Sequence, residues 1–482
     1  MIITKQSTVI DSRSLLIFFS LALGIGAITG LFVVYNLTFL LLLALGGLLV
    51  AFAMFVRLEW GLLFLVFLVY TRFSDVLVHF HDLPSILQPF MFLLLLIIAS
   101  RWWLNREVPL GWQEPALLLA AYGFISLVSF LYAANFQAAQ DAFIIYLKDA
   151  TIALLVILLL QRPSQLRHVV WALLLAGAVM GTISVFQQLT GTFTNAYAGF
   201  GQAELQHIVG KTNDYRVAGP VGDPNFYGQI LVVLLPLAMD RARYEKTRLL
   251  RTLAIWTFIV CLLSIIFTFS RGAFLAAVVV LVIMMMRRPP NPALLLALVI
   301  LSLPLLRFVP DDYVERIRTI PEAMLGFSGG ASEDQSLRGR TSEVTVGWLM
   351  FADHPIYGVG LENYPTYYQQ YSRLLGMDQR RGDRHAHSLY LQIASELGVL
   401  GLLVFGAIIW SAMRGLRQAR QDFLRAGMPD YAGLAFAFGL ALVGYLVTAL
   451  FLHAAFARYL WLLVGIAFSI PQIARNQVRF IR

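Results

Sequence analysis

The chain has 482 residues, of which 59% are hydrophobic and only 13% charged, with a formal net charge of +9. Soluble globular chains carry about 45–50% apolar and about 25% charged residues, so an ordinary soluble enzyme, a disordered chain and a nucleic-acid-binding module are excluded. A single cysteine, Cys261, excludes an internal disulfide framework and a thiolate-rich metal site.

The apolar residues come in long unbroken runs, whereas a membrane barrel alternates apolar and polar residues in segments of about 10. A helical span needs about 20 apolar residues. Taken along the chain, the runs predict helices over 14–35, 37–56, 58–72, 86–103, 115–133, 150–160, 168–189, 226–239, 250–269, 272–286, 291–308, 388–413, 431–452 and 456–473. The first follows Met1 and a polar stretch with no small-residue cleavage pattern, so it reads as a retained span. Several runs are short, and the reading is an all-α integral membrane bundle of 12–14 transmembrane helices with a periplasmic lobe. Two segments break the helical pattern: 190–225, rich in Gly, Thr and Asn, and 309–387, with room for short helices around 314–325 and 340–353. The predicted division is a transmembrane bundle at 1–308 including the outer loop 190–225, a periplasmic lobe at 309–387, and C-terminal transmembrane helices at 388–482. Neither a fixed-period repeat nor the paired halves of a transporter is present.

The charges orient this map. With the N-terminus in the cytoplasm, the cytoplasmic segments hold most of the 36 Lys and Arg, including Arg241, Arg243, Arg287, Arg288, Arg414 and Arg417. The outer segments hold most of the 27 acids. Arginine clusters in short loops follow the positive-inside rule, so both termini of the multi-pass chain are expected in the cytoplasm. The positive charge is then a topology signal and not a nucleic-acid footprint.

Ionisable groups at the rim of a membrane are costly and tend to mark function. Four outer-side groups stand out. In Arg216…Gly222-Asp223-Pro224-Asn225, Asp223 or Asn225 can cap the following helix, and Arg216 beside exposed helix N–H groups suits an anion. In Ser270-Arg271-Gly272, Arg271 sits at the outer rim, where topology disfavours a needless arginine. In Gly339-Arg340, Arg340 can add a second charge to a phosphate clamp. In Arg384-His385-Ala386-His387-Ser388, His387 opens a helix and is suited to general-base work. His385 reads as a surface residue. Glu396 falls about 180° round the helix from His387 at 100° per residue, and reads as a buried packing partner. Asp383, His385 and His387 alternate and would share one face of an extended strand as metal ligands. No further His or Cys cluster lies close by, so this stays the secondary alternative.

Taken together, Arg216…Gly222-Asp223-Pro224-Asn225, Ser270-Arg271-Gly272, Gly339-Arg340…Trp348…His354-Pro355-Ile356-Tyr357-Gly358-Val359-Gly360 and His385-Ala386-His387-Ser388…Glu396-Leu397-Gly398 resemble the O-antigen ligase and polymerase superfamily. Ser388 stands where the family's motif has Asn. The resemblance implies a metal-independent, inverting membrane glycosyltransferase without a cofactor. Its donor would be a glycan on polyprenyl (undecaprenyl) diphosphate, and its acceptor a sugar hydroxyl at the outer face of the bacterial inner membrane. It implies that Arg216 and Arg271 bind the diphosphate and that His387 is the essential histidine. Arg340 joins the clamp, and Asp223, Asn225 and Arg384 are read as supporting residues.

Ligation to lipid A–core is the leading expectation. Polymerisation of repeat units on the lipid carrier and protein O-glycosylation would share the donor. A small-anion transporter is the alternative from another class, but it calls for broken helices and charge near the bilayer midplane. Here the polar groups crowd the outer rim.

Overall fold

The structure is a computed structural model that describes residues 57–106, 111–209, 212–287, 335–375, 384–455 and 457–479. The predicted helices at 14–35, 37–56, 291–308 and 314–325 lie outside the described residues. The chain forms two compact units, Met1–Gly61 and Leu62–Arg482, and only 57–61 of the first are described.

The described chain is an all-α membrane bundle with one small hairpin. In order it runs α1 (Leu58–Tyr70), α2 (Phe73–His81), α3 (Leu87–Asn105), α4 (Gln113–Val128), α5 (Phe136–Leu159), α6 (Pro163–Thr190), β1 (Gln202–Val209), β2 (Thr212–Gly219), α7 (Pro224–Tyr244), α8 (Arg248–Phe267), α9 (Arg271–Arg287), α10 (Gln335–Asp353), α11 (Tyr364–Leu375), α12 (Leu389–Arg425), α13 (Pro429–Thr448) and α14 (Arg458–Arg479). Among the described residues seven helices are long and apolar enough to cross a membrane, or up to eight if α1 and α2, bent by 54°, form one span. Large apolar side chains such as Leu117, Phe124, Leu403 and Trp410 face outward. Such a surface is expected where lipid, and not water, is the solvent.

Three elements differ from the sequence reading. The short helix expected at 150–160 begins at Phe136, because the side chain of Asn135 caps it by accepting from Ala138 N at 3.1 Å. Polar Gln137, Asp141 and Lys148 interrupt the apolar run there without interrupting the helix. The segment 190–225 is not all loop: β1 and β2 pair antiparallel, with Glu204 opposite Arg216. Within 309–387 a further helix, α11, stands beside the one expected at 340–353, which begins at Gln335.

α7 is the core of the bundle. Asp223 accepts from the N–H groups of Asn225 and Phe226 at 2.7 and 3.1 Å, and Pro224 takes the first helical position, where no donor is needed. The helix that follows is buried almost all round and packs against α8, α9 and α13. A helix apolar on every face belongs in such a place. α14 packs on α5 and α12 and closes the other side.

α12 is broken at Gly398 (φ 65°, ψ −162°). In a regular helix Val399 N and Leu400 N would donate to the Ser395 and Glu396 carbonyls. Instead they donate to Pro355 O at 2.8 Å and Ile356 O at 3.3 Å. The Ser395 and Glu396 carbonyls in turn accept from Val359 N at 2.8 Å and Gly360 N at 2.9 Å. The segment Pro355–Gly360, a turn followed by two glycines at positive φ, is thus laid into the break, and these two amides and two carbonyls all find partners. The approach leaves no room for side chains: a Cβ on Gly398 would lie 2.3 Å from Ile356 O, and one on Gly358 would lie 2.3 Å from the Glu396 carbonyl carbon.

Gly398→Ala should therefore lower the thermal stability of the detergent-solubilised protein, by on the order of 1–3 kcal/mol from backbone strain alone and more from the collision. Gly406→Ala, in the same helix with nothing within 4 Å of its Cβ position, should be neutral or stabilise by about 0.5–1 kcal/mol. Comparing the two melting temperatures checks the docking.

Candidate functional site

β2 carries Arg216 inward. Val217 and Ala218 are fully buried against the bundle, and Arg216 is itself only 4% exposed. Its Nε donates to Thr268 O, a carbonyl at the C-terminal end of α8, at 2.8 Å. Its Nη2 donates to Asn225 Oδ1, at the start of α7, at 3.0 Å. A cation beside helix C-terminal carbonyls is favourably placed.

Arg271 is the first residue of α9, which follows α8 after a turn with Phe269 at φ 48°. Asn225, Arg271 and Arg340 line one pocket, closed on the far side by Phe451 and Leu452. It is narrow, about 10 Å³, roughly the room of one water. Arg216 is not on its wall but reaches it through Asn225. The structure thus brings together Arg216, Asn225, Arg271 and Arg340, which span three separate parts of the chain. Asp223 acts as the α7 cap beside them.

His387 lies apart from this pocket, before the first turn of α12 and in a left-handed conformation (φ 45°). Its Nδ1 is 3.1 Å from the His385 carbonyl. A carbonyl only accepts, so Nδ1 carries the proton and the neutral ring keeps its lone pair on Nε2. Glu343 Oε2 lies 2.9 Å from the same Nδ1, outside hydrogen-bond geometry, so Glu343 acts on the ring as a charge. Glu343 is 1% exposed, and its other oxygen pairs with Arg384 Nη1 at 3.1 Å. Arg384 is therefore the counter-charge of the carboxylate behind His387.

His385 is not the plain surface residue expected. Its ring stacks on His453 with centroids 4.4 Å apart and planes at 2°, and its Nδ1 lies 3.5 Å from Glu362 Oε1. His453 also meets His387 at 5.5 Å and Phe226 edge-on at 5.3 Å. Burial, with the neighbouring His385 and His387 adding to it, pushes the His453 ring down to about 3. Burial pushes the Glu362 carboxyl up, against the opposing pull of His385. Asp383 lies outside the described residues.

His385 and His453 stand on the wall of a second, larger cavity of about 420 Å³. Glu396 lines it too, so it is more than a packing partner. It accepts from Glu362 N at 3.0 Å and from Gln392. Gln392 in turn accepts from Ala454 N at 2.9 Å.

The sequence reading missed Glu343 and His453. Glu343 lies three residues after Arg340, at helical spacing. His453 sits in the loop between α13 and α14. The rule that flags rim-level ionisable groups applies to both.

The fold and site define a multi-pass α-helical membrane protein with an arginine pocket and a histidine cluster between its helices. The family model of O-antigen ligase matches residues 256–406, and this segment belongs to the O-antigen ligase family. The matched stretch holds Arg271, Arg340, Glu343, His387 and Gly398, while Arg216, Asn225 and His453 reach them from outside it. The match supports, in broad terms, a function of the O-antigen ligase and polymerase type. No curated protein matches the chain.

The His453 shift has a pH consequence. Its folded pKa lies below the ordinary 6.5, so the unfolded chain binds the proton more readily. That stability is complete above about 6.5 and is lost as pH falls toward about 3. His453→Phe should flatten this part of the stability–pH curve, on the order of a few kcal/mol at its acid end, as read from melting temperatures between pH 7 and pH 4.

Proposed function

We propose that the protein is a glycosyltransferase that moves a glycan from a polyprenyl (undecaprenyl) diphosphate to a sugar hydroxyl on the periplasmic side of the bacterial inner membrane. Ligation to lipid A–core is the reading we adopt, with both termini cytoplasmic. One observation carries it: Arg271 and Arg340 line a single pocket with Asn225, to which Arg216 is bonded. Paired guanidinium groups at the outer rim suit a diphosphate, because their planar forks match its oxygens. The pocket would have to widen to admit it, and the long arginine and Phe451 side chains are the parts that can move.

The chemistry is a single displacement. The acceptor hydroxyl oxygen attacks the anomeric carbon while the bond from that carbon to the diphosphate oxygen breaks. Charge developing on the leaving diphosphate is met by Arg216, Arg271 and Arg340. The hydroxyl proton passes to His387 Nε2, and the resulting imidazolium is stabilised by Glu343. One displacement inverts the anomeric centre. The division into 1–308, 309–387 and 388–482 then gives a bundle carrying Arg216 and Arg271, a lobe carrying Arg340, Glu343, His385 and His387, and helices that carry His453 on the loop between them.

In transfer assays with purified protein and a lipid-linked glycan, His387→Ala should lose about 10²–10⁴-fold in rate while donor binding persists. Near-normal transfer by that variant would overturn its assignment. Arg271→Lys keeps the charge but loses the paired donors, so transfer should fall although the change looks conservative.

Activity should also survive excess chelator. Loss that Mg²⁺ or Zn²⁺ restores would revive the Asp383, His385 and His387 site.

A further inference from the structure

The larger cavity has its own chemistry, opposite to that of the arginine pocket. Asp141, Asp149, Glu362 and Glu396 line it, and no lysine or arginine does among the described residues. One wall is aromatic: Tyr122, Tyr146 and Trp461 meet one another with ring centroids 5.3–5.7 Å apart. Its volume, about 420 Å³, falls in the range of small-ligand sites, roughly 300–1,000 Å³.

Asp149 is the informative member. It is 3% exposed, lines the cavity and makes no hydrogen bond among the described residues. A buried polar group without a partner is costly and rare, so the cavity wall holds an acceptor that lacks a donor. Three features narrow the occupant. A phosphate or uronate would face four carboxyl groups, while Arg458 and Lys148, the cations whose charge reaches Asp149, stand off the cavity wall. A polyprenyl tail would lie against the same carboxylates and give them no donors. A sugar supplies hydroxyl donors on its edges and an apolar C–H face for the aromatic wall.

We propose that this cavity binds the accepting glycan, and that it takes a sugar residue without negative charge, either neutral or amine-bearing. The inference rests on the glycosyltransferase reading for the word "accepting". The placement agrees with it: His385 and His453 stand on the cavity wall, and His387 meets His453. Phe451 and Leu452 line the arginine pocket, and the next residues, His453 and Ala454, line this cavity. Donor and acceptor compartments therefore adjoin across one short loop.

The test uses the full-length protein in detergent micelles and saturation-transfer NMR with four probes: glucose, glucosamine, glucuronate and glucose 6-phosphate. Glucose and glucosamine should bind, and the two anionic probes should bind at least about tenfold more weakly. Asp149→Asn and Trp461→Leu should each weaken glucose binding about tenfold. Binding of glucuronate or glucose 6-phosphate as tight as that of glucose would overturn the proposal, and this arm needs no variant. Unchanged glucose binding in both folded variants would overturn it as well. So would a co-purified lipid that blocks the sugar probes and leaves with Trp461→Leu, since the cavity would then be a lipid-tail groove. Native mass spectrometry with undecaprenyl diphosphate separates the two readings. If that lipid binds through Arg271 and the sugars do not, the cavity assignment alone fails. If the lipid does not bind, the donor reading fails, and the sugar probes still decide what the cavity takes.

Discussion

The exchange of backbone hydrogen bonds at Gly398 is the constraint on which the packing around α12 depends. In a low-dielectric setting a free amide or carbonyl costs several kcal/mol, so a helix can break there only where something repairs it. Here the repair comes from Pro355–Gly360. Once those residues are fixed, their neighbours have little choice. Leu361 N donates to Ser129 Oγ, Glu362 N to Glu396, and Asn363 exchanges bonds with Asn135. The turn after α4, the start of α5, the segment 355–363 and α12 are thereby tied at one point. The same tie puts Glu362 beside His385, and α12 opens just after His387.

Charge is then sorted around this frame. Arg216, Arg271 and Arg340 gather where α7, α8 and α9 begin or end, with helix termini supplying polar partners. Carboxylates gather one loop away, around α5 and α12. Glu343 and Arg384 cancel each other behind His387. Neutral but polar groups, His453 and Gln392, occupy the seam between the two regions. Buried charge is tolerated here because it is either paired or turned toward a cavity.

Much of this was legible in the sequence, for physical reasons. Apolar runs are long-range signals, so each predicted helix that falls among the described residues is present. Rim arginines stand out because topology disfavours them. Local features were harder. The polar first half of α5 hid the start of that helix, since periodicity and not hydrophobicity marks it. The hairpin 202–219 carries Ala203, Leu205 and Val209 in one alternating register that His207 interrupts, a weak pattern among Gly, Thr and Asn. His453 and Glu343 gain their meaning only from partners far along the chain, such as His385, 68 positions before His453. Nothing in one sequence announces such pairs. The motif His354–Gly360 was conspicuous as a string, but its role as the filling of a broken helix follows only from the paths of two backbones.

That broken helix bears on how the chain enters the bilayer. Gly398 can also adopt ordinary helical angles, and the Val399 and Leu400 amides would then find acceptors within their own segment at Ser395 and Glu396. A continuous helix over 389–425 would thus leave no bare peptide group at this point. Because residues 355–360 are synthesised first, the contacts that fill the break wait for the arrival of α12.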